Sequence, residues 1–159
     1  MKRRMNTTPE AAPQVSVART STGASVPTRA DLRRWAAEAL GRRGAGREIS
    51  VLIVGPARSR ALNRRYRGHD KPTNVLSFPA PPPGGALLGD LVICPQVLQR
   101  EAREQRKPPR AHWMHLFVHG VLHLVGYDHE QPDQARRMER REIRILRRFG
   151  VPNPYRSVE

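Results

Sequence analysis

Residues 119–129 read HGVLHLVGYDH, with histidines at spacings of four and six residues and a glycine directly after the first histidine. On an α-helix, which advances 100° per residue, His119 and His123 project from the same side. Gly126 then permits the chain to leave the helix and turn, so that His129 returns toward the other two. Three imidazoles with a vacant fourth position are typical of a catalytic zinc site, whereas structural zinc sites usually have four ligands. The stretch therefore predicts a site for one zinc ion, although imidazole ligands also suit nickel, copper or iron.

The residues before this stretch extend the histidine pattern backward along the same helix. His112 and His115 fall with His119 and His123 within about 80° of one another on a helix. The other residues of this helix are almost all apolar, which predicts that it forms the buried centre of the domain. His115 lies one turn before His119 and is a candidate catalytic residue. It could equally donate to a metal ligand, contact a phosphate or bond a backbone carbonyl, the last being the commonest fate of such a histidine.

The spacing H-x-x-x-H-x-x-G-x-x-H also occurs in the metzincin proteases, whose second position is the glutamate that acts as general base. Position 120 is glycine here, so peptide hydrolysis lacks its proton acceptor. The methionine turn of those proteases has no obvious counterpart either, because Met138 falls within a predicted helix. A protease is therefore a minor hypothesis. Gly120 instead leaves room for close helix packing or for a bulky substrate beside the metal.

The pattern of apolar residues predicts one small α+β domain, a sheet covered by helices. Residues 1–28 lack a helical or alternating pattern and carry a net charge of +3, so we expect a disordered basic tail followed by a single folded domain over 29–159. Within that domain we predict helices over 32–43, 57–68, 96–106, 111–125 and 133–149, and strands over 48–55, 73–79 and 86–95.

Charge is the clearest feature of the composition. The chain has 29 basic and 14 acidic residues, a net charge of +15. A polyanionic partner is the expected explanation, although a GC-rich genome would also raise arginine content without creating a binding face. In the last predicted helix, Glu139 and Glu142 can pair with some of the many arginines, and the excess positive charge would attract RNA phosphates.

The remaining composition indicates where the protein works. Cys94 is the only cysteine, so the chain can form neither an internal disulfide nor a CxxC metal pair. No segment approaches the roughly twenty apolar residues of a membrane span. We therefore expect a soluble, cytoplasmic protein with no membrane partner.

Four motifs together resemble one family, the YbeY-type bacterial endoribonucleases, which are rRNA maturation factors. They are HGVLHLVGYDH, YRGHDKPTNVLSFP at 66–79, LLGDLVIC at 87–94 and AHWMH at 111–115, and they occur in the family's order. The resemblance implies a mixed sheet flanked by helices, with His119, His123 and His129 as the zinc ligands. It also implies that Arg67 is functionally important.

The same resemblance implies a function and partners. The implied activity is cleavage of single-stranded RNA during maturation of the 16S rRNA 3′ end and ribosome quality control. The implied partners are the small ribosomal subunit, a small-subunit ribosomal protein and an Era-type GTPase. Arg67 would stabilise charge on the phosphate through paired hydrogen bonds, although without the resemblance a role in capping helix carbonyls is favoured. A rival hypothesis is a non-catalytic ribosome-assembly factor that binds RNA and uses the metal only to hold its fold.

Overall fold

The computed structural model describes residues 12–21, 24–81 and 85–156. Four strands and five α-helices account for most of this part of the chain. In order they are β1 (Gln14–Arg19), α1 (Arg29–Leu40), β2 (Glu48–Ile53), α2 (Pro56–Arg67), β3 (Val75–Pro79), β4 (Leu87–Ile93), α3 (Pro95–Glu104), α4 (Pro109–Leu124) and α5 (Pro132–Arg148), with a 3₁₀ turn over Gly41–Gly44 after α1.

The four strands form one mixed sheet in the order β1-β2-β4-β3. β2 pairs in parallel with both β1 and β4, whereas β3 pairs antiparallel with β4 and forms an edge. The mixed sheet flanked by helices confirms the predicted α+β class. Among the helices of the described residues, none combines the length and apolar character that a bilayer crossing requires.

The two faces of the sheet carry different helices because successive strand side chains point in opposite directions. Ile49, Val51 and Ile53 of β2 pack into the main core with α1, α4 and α5. Leu52 of β2 belongs to a second cluster, on the opposite face, to which α2 contributes Leu62. The central position predicted for the histidine helix is confirmed, because the apolar residues of α4 are buried on nearly all sides.

Gly120 explains how closely α4 approaches the sheet. A β-carbon at this position would lie 2.9 Å from a methyl of Leu91 and 3.3 Å from a methyl of Val75. Of the two roles considered for Gly120, close helix packing is therefore the one observed. A glutamate here, at the position of the metzincin general base, would crowd Leu91 and Val75 of the sheet.

The expectation of a disordered tail over residues 1–28 is wrong for residues 14–19, which form β1. All six residues of β1 pair with β2, from Gln14 with Glu48 to Arg19 with Ile53. Val15 and Val17 do alternate with polar residues in this strand, but the alternation is short and only Val15 is buried. Backbone hydrogen bonds to β2, which is distant in sequence, hold β1 in the sheet. Residues 1–11 and 22–23 of the expected tail lie outside the described residues.

Candidate metal centre

Three histidine rings converge at the end of α4. His119 Nε2 and His123 Nε2 are 3.0 Å apart, and His129 Nδ1 lies 3.2 Å from His123 Nε2. The three nitrogens cannot all donate to one another, since each neutral ring has only one N–H. Nitrogens bound at about 2.0–2.1 Å to one tetrahedral zinc ion are separated by roughly 3.3 Å. The observed separations are close to that value, so the donor set fits a metal ion.

The backbone after α4 brings His129 to the other two rings. Gly126 adopts φ +94°, a conformation that other residues rarely adopt, and Tyr127 N donates to the Leu122 carbonyl to close the turn. Asp128 Oδ1 then accepts hydrogen bonds from the backbone N–H groups of His129 and Glu130. Asp128 therefore shapes the turn that carries His129.

Burial and charge keep His123 in the state that binds metal. Burial lowers its pKa, and the neighbouring His119 and His129 lower the pKa further through charge repulsion. A neutral imidazole has the free lone pair that coordination requires. Among the described residues, the ligand atoms that gather at this point come from three side chains, His119, His123 and His129, so protein groups leave part of a tetrahedral coordination sphere open.

Glu142 of α5 is the principal residue that the sequence did not reveal. The expectation that it pairs with arginines of its own helix is wrong, because its side chain is 0% exposed and faces α4. Its Oε1 lies 2.7 Å from His119 Nδ1 and its Oε2 lies 2.9 Å from His115 Nε2. A carboxylate accepts at both oxygens, so it fixes the proton on His119 Nδ1 and directs the Nε2 lone pair toward His123.

Glu142 remains ionised despite its burial. Burial raises the pKa of its carboxyl, but hydrogen bonds from His115, His119 and Tyr155 outweigh that effect and bring the pKa to about 2. The hydroxyl of Tyr155 donates to Glu142 Oε2, and burial together with this bond raises the pKa of Tyr155. Glu142 could have been suspected from its spacing, because it follows Met138 by four residues and precedes Ile145 and Leu146 on the buried side of α5.

His115 lies beside this carboxylate and not among the three converging nitrogens. Its Nε2 contacts Glu142 Oε2 and lies 3.2 Å from the Tyr155 hydroxyl, while its ring centre is 6.3 Å from that of His119. Of the roles considered for His115, bonding to a backbone carbonyl has no support in these contacts. His115 instead helps to hold the carboxylate that orients His119.

A second carboxylate–imidazole pair lies nearer the start of α4. His112 Nε2 is 3.1 Å from Glu101 Oε1, and the amide of Asn74 donates to the same oxygen over 3.1 Å. His112 is only 4% exposed. This group joins α3, α4 and the start of β3, and it lies apart from the three converging rings.

Arg67 is the last residue of α2 and is exposed. The neighbouring Tyr66 packs edge-on against Phe78 of β3, on the sheet face opposite α4. The terminal carbonyls of α2 accept hydrogen bonds from the backbone N–H of Gly68, so the capping role considered for Arg67 is filled by another group. None of the hydrogen bonds and ion pairs within the described part of the chain uses the Arg67 side chain or joins it to the histidines.

Comparison with known proteins places these features in one family. The family model described as endoribonuclease YbeY matches residues 19–150. A relative from Halorhodospira halophila, named endoribonuclease YbeY, is 54% identical over 141 residues, covering 85% of this chain and 92% of the relative. A relative of the same name from Methylococcus capsulatus is 52% identical over 147 residues, covering 91% and 96%.

A solved structure supports the fold independently. The solution structure of TM1509 from Thermotoga maritima superposes with a TM-score of 0.58 at 24% sequence identity, covering 87% of this chain and 94% of that one. At this identity the likeness concerns the arrangement of helices and strands alone.

Proposed function

This chain belongs to the endoribonuclease YbeY family, and on that premise we propose that it is a zinc-dependent endoribonuclease that cuts single-stranded RNA. The observation that carries the proposal is the convergence of His119, His123 and His129 with an open side. Maturation of the 16S rRNA 3′ end and ribosome quality control in the cytoplasm are the cellular roles that fit the family. The small ribosomal subunit is then the main partner, with a small-subunit ribosomal protein and an Era-type GTPase as further candidates.

The chemistry follows from what the chain's own residues hold in place. A bound zinc ion lowers the pKa of a water molecule to about 7 and polarises a phosphoryl oxygen. His119, His123 and His129 would hold that ion, and Glu142 fixes the ring orientation and tautomer of His119. His115 contacts the same carboxylate, so its contribution to catalysis is to keep Glu142 in position.

Arg67 is the proposed contact for charge that develops on the phosphate. α2 and α4 lie on opposite faces of the sheet, so Arg67 and the histidines can act on one RNA only if the strand reaches both faces. Both helices pack against β3, the edge strand, where Tyr66 of α2 meets Phe78 and Gly120 of α4 meets Val75. An RNA strand that crosses this edge could contact Arg67 and the histidines together.

The non-catalytic assembly factor remains the rival function. Its metal would need only a structural role, for which closure by four protein ligands is usual. Glu142 is not the fourth ligand in the observed arrangement, because it lies at His119 Nδ1, on the far side of that ring from the Nε2 that faces His123. The open three-histidine set therefore favours the enzyme.

Cleavage of a single-stranded RNA by the purified protein tests the proposal directly. Chelation of the metal and His123→Ala should each abolish cleavage, and Arg67→Ala should reduce it by roughly 100-fold while leaving zinc content unchanged. Arg65→Ala, two residues earlier at the same exposed end of α2, is the matched control. Product termini are then analysed by mass.

Each outcome of this test has a clear meaning. Cleavage that continues unchanged in all variants would identify a contaminating nuclease. If His123→Ala lost folding stability and RNA binding together while Arg67→Ala processed RNA normally, the assembly factor would be the better account.

A further inference from the structure

A strongly basic surface groove lies between α1 and α5. A groove of about 1120 Å³ runs between these helices, lined by seven arginines and a single acidic residue, Glu38. Its lining therefore carries a net charge of +6, a large share of the chain's +15. Several of the other lining residues are small, among them Ala30, Ala37 and Gly41. The groove has both the room and the charge for an extended anion.

The arginines come from both sides of the groove. Arg141, Arg144 and Arg148 of α5 follow the i, i+3, i+7 spacing that places side chains along one helix face, over about 10 Å of axis. The rest come from α1 and the turn after it and are Arg29, Arg33, Arg34 and Arg42. Two basic rows separated by a trough suit a chain of phosphates better than one compact anion.

The two helices are fixed relative to each other across this groove. Arg141 Nη2 donates to the carbonyl of Ala39 over 3.3 Å, and Arg148 pairs with Glu38. Arg141 Nε is buried and has no hydrogen-bond partner among the described residues. These contacts fix the distance between α1 and α5 across the groove.

Much of the positive charge is not neutralised by the protein. Glu38 pairs with Arg148 and Asp31 pairs with Arg34. Within the described ranges, Arg29, Arg42 and Arg144 are exposed and have no acidic partner. Concentrating like charges in this way costs free energy unless a polyanion is bound.

We propose that this groove binds the sugar–phosphate backbone of an RNA strand, at a place separate from the histidine centre. The inference rests on the proposed function, because it takes the bound polymer to be the RNA that is cut. A protein partner fits less well, since binding hot spots need large apolar or aromatic anchors. The one large aliphatic side chain in the lining, Ile145, is only 2% exposed. Binding that depends on phosphate charge is independent of sequence and weakens as salt rises.

The test compares two triple variants that remove the same charge. Arg29→Gln, Arg42→Gln and Arg144→Gln together neutralise the groove. Arg58→Gln, Arg103→Gln and Arg106→Gln together are the control, because these arginines are likewise exposed and without an acidic partner in the described structure but lie outside the groove. Circular dichroism and thermal melting establish that both variants are folded.

The probe is a fluorescent oligothymidylate, which has the backbone phosphate charge of RNA but no 2′-hydroxyl, and gel electrophoresis after each measurement checks that it stays intact. Fluorescence anisotropy is measured over a series of salt concentrations with probes of about 6 and about 30 nucleotides. The wild-type protein and the control should gain affinity with probe length, and the groove variant should gain much less. For the long probe, log K falls linearly with the logarithm of the salt concentration. In the groove variant this slope should become less steep by about 2, near 0.7 for each lost contact.

Two results would overturn the proposal. One is an equal affinity and an equal salt slope for the two triple variants. The other is loss of polyglutamate binding in the groove variant with oligothymidylate binding intact, which would assign the groove to an acidic polypeptide. A wild-type protein that cuts no RNA but shows the length and salt effects would refute the proposed enzyme and leave the groove as a nucleic-acid surface.

Discussion

Two histidines of α4 each pair with a carboxylate from another helix, and they differ in what the second ring nitrogen contacts. His112 binds Glu101 and His119 binds Glu142, over 3.1 Å and 2.7 Å respectively. The other nitrogen of His112 is buried without a hydrogen-bond partner in the described structure, whereas the other nitrogen of His119 faces His123. The His112–Glu101 pair is therefore a buried packing contact, whereas the His119–Glu142 pair supports the candidate metal site.

The carboxylates show the same contrast. Glu142 is 0% exposed and is surrounded by His115, His119 and Tyr155, whereas Glu101 is 25% exposed and also holds Asn74 at the start of β3. Burial raises the pKa of Glu101, but hydrogen bonds from His112 and Asn74 lower it further than burial raises it. Both carboxylates are ionised, and only the one beside the converging rings can affect metal binding.

The largest difference is expected between His119→Ala and His112→Ala. Loss of His119 removes a ligand, so zinc affinity and RNA cleavage should fall by more than the roughly 100-fold that follows loss of a group behind a ligand. His112→Ala should retain one bound zinc and most of its cleavage, with lower stability. Zinc content by mass spectrometry and RNA cleavage rates check both variants. Equal loss of zinc in the two would remove the distinction between the pairs.

Glu142→Gln should have the next largest effect. The amide keeps the shape of the side chain but cannot accept at both ends, so it no longer holds His119 and His115 in their present orientation. Zinc affinity should fall by about 10–100-fold, measured by competition with a chromogenic chelator. Glu101→Gln is the matched control and should bind zinc as the wild type does. If the control lost as much affinity, Glu101 would have to be counted part of the metal site.

Glu101→Gln should instead lower the stability of the fold. It weakens charge-assisted hydrogen bonds that join α3, α4 and β3, at a cost of about 1–2 kcal/mol in the free energy of unfolding. Urea denaturation monitored by circular dichroism measures this. Glu104→Gln, on the same helix, is the control because its pair with Arg100 is 3.8 Å long and exposed on both sides, so it should cost less than about 0.5 kcal/mol. Equal midpoints for the two variants would show that the His112 network contributes nothing to folding.

The sequence predicted local features well because their causes lie within a few residues. The apolar periodicity placed every described α-helix and the strands β2, β3 and β4. The spacing of HGVLHLVGYDH, with Gly126 at positive φ, predicted three rings that the structure does bring together. β1 was missed because its alternation, Val15 and Val17 on either side of Ser16, is short and lies in a segment rich in polar and small residues.

What the sequence by itself determined is the helix and turn that carry the three histidines, since helical geometry and a glycine turn act over a short stretch of chain. Tertiary structure alone decided which carboxylate supports them, because Glu142 reaches His119 from a helix 23 residues further along the chain. It also decided that α2, with Arg67, packs on the sheet face opposite α4. Packing between distant elements depends on the whole core, and no local pattern records it.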